Sequence, residues 1–226
     1  MPDPKSPNLK HMLDALEASY HQHQYLDSDP LVFVHRYRDP WDQEAVALLA
    51  AVLAYGNVKQ IKRSVEDALR RMATVSSHPA AFVRALETPG GPVAASRAFE
   101  GFVHRFNLGQ DLVMLFRVLA RSWKKHGSLG AHFMVGLDPS APQISDALSA
   151  LIAEWKRWAE ELEPAVGKSS FSYLLTSPAD GSCCKRWCMF LRWMGRKDSL
   201  DVGLWAKDGA LAATFPVRPG VPFHYL

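Results

Sequence analysis

The run Ala45-Val-Ala-Leu-Leu-Ala-Ala-Val-Leu-Ala-Tyr55 constrains the fold more than any other stretch of this chain. Its 11 residues are uncharged and apolar. That is too short to cross a bilayer, so the run has to be covered by other elements of the same protein. A helix over Gln43–Tyr55 is apolar nearly all round and therefore belongs at the centre. Asp42 and Glu44 are expected to cap its start, and Gly56 to stop it.

The rest of the chain can supply that cover. With 226 residues, 48% of them apolar, it can bury a sizeable core. Leu9, Met12, Leu13, Leu16 and Tyr20 predict an amphipathic helix over 8–25. A short segment opened by Pro30 follows over Leu31–Tyr37. Ile61, Val65, Ala68, Leu69 and Met72 predict the next helix, and Pro79–Leu86 a shorter one. Asp111–His126 has an acid at its start and Arg121, Lys124, Lys125 and His126 at its end, which complements a helix dipole. Ser145–Leu162 predicts another helix, and Cys183–Met194 the last. Alternating strand patterns are lacking. The expected fold is all-α: one helical domain over 1–226, with Thr88–Pro92 dividing lobes 1–88 and 93–226.

The last helix carries the chemistry. Lys185, Arg186, Arg192, Arg196 and Lys197 place five positive charges within it and just after it, with no acid between Cys183 and Lys197. The whole chain has a net charge of only +3, so this is a local patch rather than a bulk property. Such a patch suits a polyanion or a solvated helix end. Lys185 follows a glycine-containing loop at the helix start, where an amine can bind phosphate or attack an aldehyde carbon. Read from the residues alone, Trp193 and Trp205 are core side chains. His35 and His104 sit in two similar elements, Phe33–Tyr37 and Phe102–Phe106. These read as packed corners, with acid–base chemistry as the alternative.

Cys183, Cys184 and Cys188 are the only cysteines, crowded into six positions, and make a poor disulfide framework. Small buried thiols in a reducing, cytoplasmic setting are expected, with no metal site. The first residues lack the apolar segment of a signal peptide, and no membrane association is expected.

Several motifs run in order along the chain: Phe33–Tyr37, Ala51–Gly56, Gly101–Phe106, Ser177-Pro178, Gly181–Arg186, Phe190–Met194, Arg196–Asp198 and Asp201–Trp205. In these the chain resembles a bacterial family of unknown function, the domain of unknown function 2400 family. The second half of that family is similar to helix-hairpin-helix DNA glycosylases. The resemblance implies a hairpin that grips a DNA backbone and Lys185 as the amine that attacks the sugar. It also implies phosphate contacts from Gly181, Ser182, Arg186, Arg192, Arg196 and Lys197, and no soluble cofactor. Trp187, Trp193 and Trp205 become candidate walls of a pocket for an extruded base. The expected function is that of a DNA glycosylase or abasic-site lyase. A non-catalytic nucleic-acid binder and a structural or protein-binding helical protein are the alternatives.

The resemblance breaks at the C-terminus. The family continues into a Pro-Leu-Asp-x-His element carrying an aspartate, whereas this chain reads Phe215-Pro-Val-Arg-Pro-Gly-Val-Pro-Phe-His-Tyr-Leu226. Arg218 stands at the aspartate's place, where a cation opposes a developing sugar cation. The expectation is a shifted reading frame or early stop, with Asp201 as a substitute carboxylate.

Overall fold

In a computed structural model of the chain, the described residues are 7–138, 140–141, 143–164, 170–206 and 208–211. Among these residues ten α-helices carry the fold. They are α1 (Pro7–Tyr20), α2 (Pro40–Val52), α3 (Val58–Ala73), α4 (Pro79–Ala85), α5 (Gly91–Ala98), α6 (Gly109–His126), α7 (Leu129–Val135), α8 (Ser145–Leu162), α9 (Phe171–Leu174) and α10 (Lys185–Gly195). Tight 3-10 turns lie at His23–Ser28, Pro30–Arg36 and Pro178–Asp180. The only strands among the described residues are β1 (Val103–His104) and β2 (Asn107–Leu108), an antiparallel hairpin. The all-α expectation holds.

The apolar run forms α2, and its residues Ala45–Leu53 are all buried. Around it pack the 30–36 turn, α3, α4, α6 and α10. Buried side chains from Leu26 to Trp205 make one contiguous core. Residues 88–90 form a turn and Gly91 opens α5, and buried side chains on both sides of it belong to one core.

The helix ends are satisfied differently from what the sequence suggested. Asp39 is the N-cap of α2 and accepts from the amides of Trp41 (2.9 Å) and Asp42 (3.1 Å). Asp42 and Glu44 do not cap their own helix. Two positions apart on a helix, they point to nearly opposite sides. Asp42 accepts from the Ala80 amide at the start of α4, at 2.8 Å. Glu44 is fully buried and receives four N–H donors. Trp123 Nε1 (2.5 Å) and the Leu129 amide (3.1 Å) meet one oxygen; Trp205 Nε1 (2.7 Å) and the Gly130 amide (3.4 Å) meet the other. Burial pushes the Glu44 carboxyl above its ordinary range, and these four bonds offset that only in part. Gly130 has to be glycine, because a Cβ there would lie 2.8 Å from the Trp205 indole.

Helix α1 forms as its period predicts but ends at Tyr20, followed by a 3-10 turn instead of helix to residue 25. Its apolar stripe stays exposed, from Leu13 at 54% to Leu9 at 62%. Helices α5, α7 and α9 and the hairpin had no counterpart in the sequence reading.

Replacing Glu44 with Ala leaves four buried donors without an acceptor. It is expected to destabilise the protein by more than about 3 kcal/mol, with Glu44→Gln intermediate. Urea unfolding followed by tryptophan fluorescence measures this, and a loss below about 1 kcal/mol for Glu44→Ala contradicts the assignment.

Candidate nucleic-acid interface

The expected cationic strip is largely neutralised by acids that fold back onto it. After α10 the chain reverses, with Gly203 and Trp205 amides donating to the Trp193 and Met194 carbonyls at 2.9 and 2.8 Å. This brings Asp201 under the helix. Its side chain is fully buried and meets Arg196 Nε at 2.6 Å and Arg192 Nε at 3.4 Å. Asp198 also pairs with Arg196, and Asp208 with Lys197 at 2.9 Å. The absence of acid within the run was real, but the partners come from downstream. Arg192, Arg196 and Lys197 are therefore held by carboxylates instead of standing free for phosphate. Asp201 is committed to this cluster.

The tryptophans are also placed otherwise than the resemblance implied. Trp187, Trp193 and Trp205 are at most 1% exposed. Trp187 Nε1 donates to the Leu174 carbonyl (3.1 Å), and Trp205 Nε1 to Glu44. Trp187 and Trp205 stack edge-on with Phe190 at 5.9 and 5.3 Å. In this conformation they are core, which is how Trp193 and Trp205 read from residue type alone.

The loop before α10 is a tight structure. Ser177 caps the Pro178–Asp180 turn through its side chain, and Gly181 sits in the left-handed region at φ 73°. The Gly181 amide donates to Pro178 O and the Ser182 amide to Ser177 O, so both are spent inside the turn. Ser182 Oγ accepts from the Cys184 amide at 3.1 Å. Gly181 and Ser182 thus shape the loop instead of offering main-chain donors. The amides left over by helix geometry are those of the first turn of α10, starting at Lys185. Lys185 itself is exposed and forms no hydrogen bond or ion pair among the described residues. No carboxylate lies within ion-pair distance of it among those residues.

Arg186 has a different task. Its guanidinium donates to the Val52 carbonyl at the end of α2 (2.6 Å) and to the Tyr173 carbonyl (2.5 Å). It lies over the rings of Tyr55 (5.0 Å) and Tyr173 (4.4 Å). Tyr55, Phe106 and Tyr173 pack mutually, at 5.7, 5.0 and 4.6 Å between ring centres. Phe106 is 48% exposed and Tyr173 40%, so one side of this aromatic group faces solvent. Tyr55 is pushed up to about 12 by burial, partly offset by Arg186. Its hydroxyl donates toward Asn107 Oδ1 at 2.5 Å. Asn107 in turn donates to Asp111 Oδ2 and to the Ser170 carbonyl, both at 2.8 Å.

Two non-glycine residues among those described adopt left-handed backbone: Arg105 at φ 56° and Cys184 at φ 45°. Arg105 and Phe106 form the tip of the β1–β2 hairpin. The Arg105 side chain lies against Gly56, whose missing Cβ leaves the space: a Cβ there would stand 3.1 Å from a guanidinium nitrogen. Arg105 immediately precedes Phe106 of the aromatic group, and Cys184 is the N-cap residue of α10, immediately before Lys185. Such conformations cost about 1–3 kcal/mol each and gather at functional sites.

His104 proves to be a packed corner. It is fully buried, meets Ser64 Oγ at 2.9 Å, and burial lowers its pKa. His35 is bonded to the Leu200 carbonyl at 2.7 Å. The cysteines are free thiols: Cys184 is buried, Cys188 half-buried and Cys183 exposed. Arg218 and the whole stretch 215–226 lie outside the described residues. Among the described residues no helix is long and apolar enough to cross a membrane. Sequence reasoning passed over Phe106 and Tyr173. The signal available was the aromatic after His-Arg in a hairpin turn, but no local pattern pairs residue 106 with residue 173.

The fold and surface define an all-α protein that presents an aromatic and cationic face beside a helix start. Residues 29–217 match the family described as protein of unknown function (DUF2400), and the chain belongs to that family. No curated protein and no solved structure matches it.

Neighbouring residues 185 and 186 should separate cleanly on mutation. Arg186→Ala is expected to cost about 2–4 kcal/mol, because two carbonyls lose a charged donor and two rings lose their cation. Lys185→Ala is expected to stay within about 0.5 kcal/mol of the parent. Chemical denaturation of both variants checks this, and equal losses contradict the division of roles.

Proposed function

We propose that this chain binds DNA at the face made by Lys185, Phe106 and Tyr173, and that Lys185 acts there as the amine of an abasic-site lyase. The observation that carries the reading is the part-exposed aromatic group of Tyr55, Phe106 and Tyr173 gathered on Arg186, whose neighbour in sequence, Lys185, is exposed and has no acidic partner among the described residues. Exposed aromatic rings stack unpaired bases without sequence preference, and cations beside them hold the phosphates. Arg186 holds the rings of Tyr55 and Tyr173, and Arg105, exposed at the hairpin tip beside Phe106, adds a second cation there.

The chemistry follows from the amine. An abasic deoxyribose opens to an aldehyde at C1′. The unprotonated Lys185 nitrogen adds to that carbon, and the adduct loses water to give an imine. The resemblance to helix-hairpin-helix glycosylases implies the same residue, since Gly181 and Lys185 have the Gly-x-x-x-Lys spacing of that motif.

A second reading, a non-catalytic nucleic-acid binder, is favoured by one observation. Asp201, the nearest candidate carboxylate in the motif order, is locked by Arg192 and Arg196.

Borohydride trapping on an abasic oligonucleotide decides between the two. A covalent adduct that vanishes in Lys185→Ala supports the lyase, and no adduct with the parent chain rejects it. Binding to single-stranded DNA should weaken steeply with salt. Phe106→Ala or Tyr173→Ala should each cost about 1–3 kcal/mol of binding. Binding that ignores salt and both substitutions overturns the nucleic-acid reading altogether.

A further inference from the structure

On the side of the molecule formed by the α6–α7 corner, two imidazoles and a carboxylate converge. Helix α6 ends at His126, Gly127 turns the chain at φ 92°, and α7 begins at Leu129. This tight corner lays the His126 and His132 rings face to face, 4.1 Å apart and 12° from parallel. Helix α8 brings Glu154 alongside. One ligand atom from each of the three residues lies within 4.8 Å of the others.

We propose that His126, His132 and Glu154 form a binding site for one divalent transition-metal ion of the zinc class, clamping α6, α7 and α8 together. The orphaned nitrogen is the first argument. His126 Nε2 is buried and has no hydrogen-bond partner among the described residues. A buried polar atom left unpaired is costly and needs an explanation. A purely hydrogen-bonded cluster accounts for His132 and Glu154 but leaves this atom idle.

The second argument is the support behind the candidate ligands. His132 is 3% exposed and held at both nitrogens: Nε2 lies 2.9 Å from Glu154 Oε2, and Nδ1 lies 2.8 Å from Ser122 Oγ. With a metal at Nε2, the ring proton moves to Nδ1 and donates to Ser122 Oγ, which fixes the tautomer and the ring as outer partners of metal-binding histidines do. The other carboxylate oxygen, Oε1, is held by Lys125 at 2.7 Å and Arg157 at 3.3 Å, which leaves Oε2 to face the ion.

The protonation states agree with this geometry. Burial lowers both histidines, so their nitrogens carry free lone pairs at neutral pH. Burial alone would raise Glu154, but its bonds to Lys125 and His132 bring it to about 2. With His132 neutral, the Lys125 and Arg157 cations beside Oε1 favour the ionised Glu154.

The donor set chooses the ion. Two imidazoles and one carboxylate suit zinc, cobalt, nickel or copper. Calcium and magnesium require mainly oxygen ligands and gain little beside the Lys125 and Arg157 cations. Lone pairs lie in the ring plane, so two parallel rings cannot share one ion unless one of them tilts. His126, at a helix end beside Gly127, is the ring free to do so, whereas His132 is fixed at both nitrogens and packs on Trp158 at 5.2 Å.

The test uses the full chain, stripped with chelator and titrated with Zn2+ by calorimetry. One equivalent is expected to bind and to raise Tm. His126→Gln should keep the apo Tm within about 2 °C while weakening binding by at least about 100-fold, and Ser122→Ala should weaken it by about 10-fold. Absence of saturable one-to-one binding by the parent chain overturns the site whatever the variants do. So does affinity unchanged in His126→Gln. Co2+ spectra of the parent and of Cys183→Ser/Cys188→Ser guard against thiol ligation. A thiolate charge-transfer band lost with those cysteines overturns the proposal, and a spectrum without it that persists in the double variant supports it.

Discussion

Four N–H donors converge on one carboxylate, that of Glu44, and the packing of the molecule is organised around it. The group lies inside the most apolar helix of the chain. It reaches an indole on α6, an indole beyond α10 and the two amides that open α7. A carboxylate accepts at both oxygens and donates nothing, so it can satisfy these donors together where an apolar residue would satisfy none. Elements that are far apart in sequence, at residues 44, 123, 129–130 and 205, are thereby held at one point. An incompletely bonded charge in that position would be strongly destabilising, which makes the arrangement close to all-or-none.

The same device recurs at the other helix ends. Asp42 accepts the α4 amide, Asp111 accepts the Leu108 amide before its own helix, and Arg186 donates to the Val52 carbonyl at the end of α2. A central helix that is apolar on all sides has no polar face of its own. Its few charged residues and its ends therefore become the attachment points for its neighbours. Arg186 joins this framework to the proposed function. By holding Val52 and Tyr173 it fixes the rings of Tyr55 and Tyr173, and Phe106 completes the face at the tip of a strained hairpin.

Charge in the last helix shows where local reading fails. Five cations without an intervening acid read as an open basic strip, yet Asp198, Asp201 and Asp208 return to Arg192, Arg196 and Lys197 once the chain reverses after α10. Helix dipoles and nearest neighbours in sequence are visible in a linear pattern, but a reversal that depends on Gly203 and Trp205 bonding back to α10 is not. The tryptophans show the converse. Residue type alone placed Trp193 and Trp205 in the core, and the resemblance moved them toward a pocket that their burial does not provide.

By itself the sequence determined the helical periods, the central position of the Ala45–Tyr55 run and the family. Those depend on spacing and hydrophobicity within windows of a few turns. Ser145–Leu162 matched its helix residue for residue. Tertiary structure alone decided which neighbours the buried acids serve, which cations remain free and which rings meet. Lys185 and Arg186 are adjacent and both basic, yet one faces solvent and the other spans two helices. The physical reason is that burial and pairing are set by partners 13 to 161 positions away, whose approach no local pattern encodes.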